Sequence, residues 1–157
     1  MARSSFSDHP ARWIVGAFSV LVLAPVLAAI ATYAWVHNSN NAAAQQLEHG
    51  LLALEVPAGA EVVDSSWLVS RFAPAGNGTQ YAGVLLVRSD LTQEALGAAY
   101  EAQPGSPRVA AADDDSVARL AGQLDSGEDL HQPGTYLVVD LDEPTSTLLS
   151  SVDLRGH

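Results

Sequence analysis

Apolar residues are unevenly spread along this chain. From Trp13 to Val36 no residue is charged, and most are Val, Leu, Ile, Ala or aromatic. A helix rises about 1.5 Å per residue, so this run reaches roughly 36 Å against about 30 Å of bilayer hydrocarbon. Trp13 opens it, and Tyr33 and Trp35 close it. Aromatic rings at both ends suit the two headgroup layers. Gly16 and Pro25 would be awkward in a soluble helix but are common in membrane ones. The pattern predicts a transmembrane helix over 13–36, with the lipid bilayer as partner. The plain alternative is a buried core helix, but one small domain has no room for a helix apolar on every side.

The flanks set an orientation. Arg3 and Arg12 precede the helix with only Asp8 opposing them, and no arginine follows until Arg71. The positive-inside rule puts residues 1–12 in the cytoplasm and the rest outside. The rival reading is a cleaved signal peptide: Arg3 and Arg12 as its basic region, Trp13 to Ala24 as its apolar region, and Ala29-Ile30-Ala31 or Ala42-Ala43-Ala44 as the cleavage site. Against it, the apolar run continues through Val36. Both readings place the domain outside the cytoplasm.

Residues 37–46 are small, polar and uncharged. They read as a juxtamembrane linker, or as a frayed continuation of the helix through Ala42-Ala43-Ala44. The globular domain is expected over 47–157. Leu51 to Val56 is a short apolar run stopped by a Pro57-Ala58-Gly59 turn. Glu61 to Phe72 alternates like a strand, with Trp67 and Val69 pointing inward. Asn77-Gly78 signals a tight turn, and Thr79 to Arg88 is a second strand, apolar on both sides as in a covered central strand. Together they predict a hairpin. Asp90 and Gln93 resemble a capping box opening a helix that runs to Ala102.

Past Pro104 to Pro107, Arg108 to Ala111 predicts a short strand. Val117, Leu120, Ala121 and Leu124 then recur at helical spacing. Tyr136 to Leu141 and Leu148 to Leu154 predict two more strands, the last docking the tail through Val152 and Leu154. The fold class is α+β: one N-terminal transmembrane helix, then a small external domain with a mainly antiparallel sheet and about two helices, expected on one face.

Charge and composition narrow the function. Acids outnumber bases 18 to 7, giving a net charge of -11, and every base is arginine. Such acidity argues against nucleic acid as a partner. With no cysteine, disulfides, Cys-ligated zinc, iron–sulfur clusters and thiol catalysis are excluded.

Candidate chemistry is sparse. Asp113-Asp114-Asp115 would suit a hard cation, yet it lacks the alternation of a calcium loop and reads better as the solvated start of a helix. Asp140 and Asp142 share a strand face next to Glu143, as an acid–base pair would, but a charged strand end turning into a loop is the better reading. His9, His37, His49, His131 and His157 are scattered, without zinc spacing, and His9 falls on the cytoplasmic side. No nucleophile elbow is present. Asn77-Gly78-Thr79 fits a glycosylation sequon that the turn already explains. No catalytic, cofactor-binding or metal residue is assigned, and no cofactor.

Gly76 to Gly83, Val87 to Leu91, and the closing Asp153-Leu154-Arg155-Gly156-His157 together resemble uncharacterised small bacterial membrane-anchored proteins. These have one N-terminal transmembrane helix and a short external domain. The resemblance implies no activity and no site residue. The expected function is a non-enzymatic single-pass membrane protein whose extracytoplasmic domain binds a partner or serves an envelope protein complex. The alternatives are a membrane-tethered envelope hydrolase and a binding domain secreted after signal-peptide cleavage.

Overall fold

The computed structural model describes residues 9–70, 79–124, 127 and 129–142, with side chains from Val20 onward. The chain divides into two compact units, one ending at Trp35 and one beginning at Val36. Helix α1 (His9–Leu52) contributes to both.

In the first unit, Val20, Leu21, Val22 and Leu23 are 67%, 72%, 48% and 57% exposed. Successive helical residues turn by about 100°, so four in a row cover the whole circumference. This helix therefore shows apolar side chains to its surroundings on every side. Pro25 interrupts the backbone ladder, and Thr32 Oγ1 donates to the Ala28 carbonyl at 2.8 Å. Among the described residues, one helix is thus long and apolar enough to cross a membrane.

The second unit is an α+β domain. Its four-stranded antiparallel sheet runs β1 (Ala60–Ser70), β2 (Gln80–Ser89), β4 (Thr135–Asp142), β3 (Arg108–Ala111). Helices α2 (Gln93–Glu101) and α3 (Ala118–Ala121) complete it. β2 is buried from Tyr81 through Val87. Ala82, Val84 and Leu86 pack with Leu137, Val139 and the α3 residues Leu120 and Ala121. On the opposite face, Leu85 and Val87 pack with Val138, with Leu96 and Tyr100 of α2, and with Leu51 of α1. Helices therefore cover both faces, not the single face expected. A strand that is apolar on both sides needs a partner layer on each.

Residues 37–46 are helical throughout. Val36, Asn40, Ala44 and Leu51 are buried, and Leu47 is half-buried, in one helical stripe. The stripe works through small size. A Cβ on Gly83 would lie 2.7 Å from the backbone of Leu47 and of Glu48, closer than any side chain tolerates. Polar pairs fasten the same contact: Tyr81 Oη donates to Asn40 Oδ1 at 2.7 Å, and Ser65 Oγ donates to Glu48 Oε1 at 2.6 Å. Beyond the helix, Gln103 brackets Glu55: its Oε1 accepts from the Glu55 N–H and its Nε2 donates to the Glu55 carbonyl.

β1 carries Val69 and Trp67 toward α1, as its alternation predicts. A register shift between Val62 and Asp64 then changes the parity. Val62 joins the Trp67 side, and Val63 joins Leu68 on the other.

The cap of α2 differs from expectation. Thr92 is the N-cap, its Oγ1 accepting from the Ala95 N–H at 3.3 Å. The Asp90 N–H instead donates to the Gly59 carbonyl, and Ser89 Oγ accepts from the Leu91 N–H. These bonds hold the bend at Asp90 and Leu91 that precedes Thr92. α3 is only four residues long, because turns occupy the chain before it and Gly122 ends it. Val117 and Leu124 still reach the core. The Asn77-Gly78 turn and the strand expected over Leu148–Leu154, with its docked tail, lie outside the described residues.

Substituting Gly83→Ala tests the helix–strand approach. The added methyl meets backbone, which cannot rotate away, so stability falls by about 1–3 kcal/mol. Gly50→Ala faces open space within a helix and raises stability by up to about 1 kcal/mol. Urea denaturation followed by circular dichroism reads both.

Candidate functional site: an arginine-flanked apolar cleft

The strand order places β3 beside β4, with Arg108 directly opposite Val139. Opposed residues in an antiparallel pair share a face, so Arg108 lies on the α3 side of the sheet. α3 contributes Arg119 next to buried Leu120. A cleft of about 310 Å³ lies between these elements. Leu120, Val139 and Leu141 give it an apolar lining; Arg108, Arg119 and Ser116 are its polar members. Among the described residues, its lining contains no histidine and no carboxylate.

The two arginines are held differently. Arg119 Nη1 donates to Ser70 Oγ at 3.2 Å, which ties α3 to the end of β1. The Arg108 side chain is exposed and makes no hydrogen bond or ion pair among the described residues. On the far side of Arg108 a second hollow of about 370 Å³ includes Glu101 and Ser106. A guanidinium keeps its charge at any working pH and presents a planar fork of donors. It can hold an anion, but it cannot serve as an acid or base near neutrality.

The residues singled out in the sequence lie elsewhere. Asp113, Asp114 and Asp115 are exposed in the turn before α3. Asp114 Oδ1 accepts from the Ser116 N–H at 2.8 Å, and this bond lowers its pKa. Its carboxylate thus shapes the turn. Among the described residues, no three of His, Asp and Glu gather as metal ligands would.

Asp140 lies opposite Gly83 and Asp142 opposite Tyr81. Asp140 is half-buried, with Gly105 against its carboxylate. Gly105 has φ +85°, a conformation that glycine adopts most readily. Burial raises the Asp140 pKa, and the Asp142 carboxylate adds to the shift. Neither acid lines either cleft.

His37 is half-buried in α1, and His49 and His131 are exposed. The His131 N–H donates to Asp129 Oδ1. Glu143, His157, Asn77 and the His9 side chain lie outside the described residues.

Sequence reasoning did not single out Arg108 or Arg119. One signal existed: Arg108, Ala110 and Ala112 alternate, which places an arginine at the head of an apolar strand face. Nothing in the sequence connects that face to Arg119.

Compared with protein-family models, curated proteins and solved structures, the chain matches none.

Asp140 generates a pH prediction. Its folded pKa lies above the ordinary carboxylate value, so ionising it opposes folding. Asp140→Asn raises the melting temperature at pH 7. The gain shrinks as pH falls through the raised pKa toward the ordinary carboxylate range, where wild-type Asp140 becomes protonated too. Melting curves of both proteins across that range check the sign.

Proposed function

We propose that this chain is a single-pass membrane protein with residues 1–12 in the cytoplasm. Its extracytoplasmic domain works by binding, as a receptor for a ligand or an accessory to an envelope protein, and not by catalysis. The observation that carries the anchor is the exposure of Val20 to Leu23 around the full circumference of α1. A core helix of a soluble protein buries at least one stripe. In water, such a surface would drive aggregation, whereas in lipid it costs nothing.

The packing of α1 also bears on cleavage. Ala44 is 0% exposed, so cutting after it would remove Val36 and Asn40 from the domain core. This supports the uncleaved reading over secretion after that site. The binding role draws its support from the cleft, whose lining offers fixed positive charge and apolar surface without a titrating acid–base pair.

Fusions at His157 test the topology. Alkaline phosphatase there should be active, and a fluorescent reporter that matures only in the cytoplasm should stay dark. The opposite pattern overturns the orientation. Leu23→Arg places a charge in the span at a cost of roughly 3 kcal/mol on insertion scales, and should lower membrane retention. A wild-type protein recovered from the soluble external fraction without residues 1–31 would establish secretion instead.

A further inference from the structure

We propose that the cleft between β3 and α3 binds a small monocarboxylate with an apolar tail. The Arg108 and Arg119 guanidiniums hold the head, and Leu120, Val139 and Leu141 receive the tail. This rests on the reading of the domain as a binding module and names the ligand class of that site.

Three observations converge on it. The first is charge. The chain carries 18 acids against 7 bases, so an arginine has an excess of carboxylates to pair with. Yet Arg108 has no partner among the described residues, and it shares a cleft with Arg119. Of the arginines with described side chains, Arg88, Arg108 and Arg119, two line this one cleft. Paired guanidinium forks match a carboxylate, which accepts two parallel N–H bonds from each fork it meets.

The second observation is the apolar lining. Leu141 is 48% exposed although it ends a core strand, and Val117 beside the cleft is half-buried. A hydrocarbon tail would take this surface out of water. It would also shed water from the guanidiniums, which strengthens their hold on the head.

The third is size. A volume near 310 Å³ stands at the small end of ligand pockets, which run from roughly 300 to 1,000 Å³. One short chain fits; a diacyl lipid does not.

Net charge sharpens the expectation. At -11, the protein repels anions at long range. A head group alone therefore gains little, and a tail alone leaves the Arg108 guanidinium without an anion. Affinity requires the two parts in one molecule.

The full chain in phosphatidylcholine nanodiscs is titrated calorimetrically with decanoate, decanol and acetate, and the heats of empty discs are subtracted. Saturable binding of decanoate is expected, with decanol and acetate at least about tenfold weaker. Arg108→Met, which keeps an apolar stem, should weaken decanoate about tenfold or more while the unliganded melting temperature stays put. Arg108→Lys, which keeps the charge without the fork, should fall between.

Equal binding of decanol and decanoate, unchanged affinity in Arg108→Met, or no saturable decanoate binding would each overturn the proposal. A cytoplasmic C-terminus in the fusion assay, with decanoate binding intact, would overturn the topology alone. The expected fusion pattern without decanoate binding would overturn the ligand alone.

Discussion

Strand β2 has no side left for water. From Tyr81 to Val87 every residue is buried, with alternate side chains entering opposite layers. Two helical layers are then required, and the rest of the domain supplies them from distant parts of the chain. The 36–52 segment of α1 and α2 cover one face; α3 and its flanking turns cover the other. Each fully buried aliphatic side chain contributes about 1.5–3 kcal/mol, so the doubly covered strand dominates the stability of the fold.

The α1 layer sets small and polar residues, Ala44 and Asn40, among the aliphatic Val36, Leu47 and Leu51. Ala44 on the helix and Gly83 on the strand let backbone approach backbone. At that distance a long aliphatic side chain has no room, so specificity falls to hydrogen bonds. Asn40 with Tyr81 and Glu48 with Ser65 provide them. Such pairs contribute little net stability, but the buried Asn40–Tyr81 bond penalises any other register, because a slipped helix would leave it unsatisfied. The helical segment that follows the apolar span is thereby fixed to the sheet by geometry as well as by apolar contact.

The α3 layer is thinner. Four helical residues cannot cover a whole sheet face, and the uncovered remainder beside β3 and β4 is the arginine-flanked cleft. The brevity of α3 and the presence of the cleft have a common cause. A longer helix would bury Leu141 under its own side chains. The carboxylates of the Asp113–Asp115 turn remain exposed, and Asp114 is committed to the Ser116 N–H.

What the sequence determined by itself was local. A charge-free run from Trp13 to Val36 specifies a helix with no polar side, and alternation with turn residues specifies β1, β2, β3, β4 and α2 to within a few positions. Those signals depend on periodicity, which a single segment carries alone. Tertiary structure decided the remainder. The polar 37–46 stretch is a packed helix because Gly83 makes space for it. The parity of β1 switches at Val62–Asp64, which keeps Val62 on the Trp67 side and Val63 on the Leu68 side. Thr92 caps α2 because Ser89 and Gly59 occupy the backbone before it. The pairing of Arg108 with Arg119 in one cleft arises from a strand order, β1-β2-β4-β3, that no local pattern encodes. Each of these outcomes joins residues far apart in the chain, and the energy that selects them appears only once the layers have met.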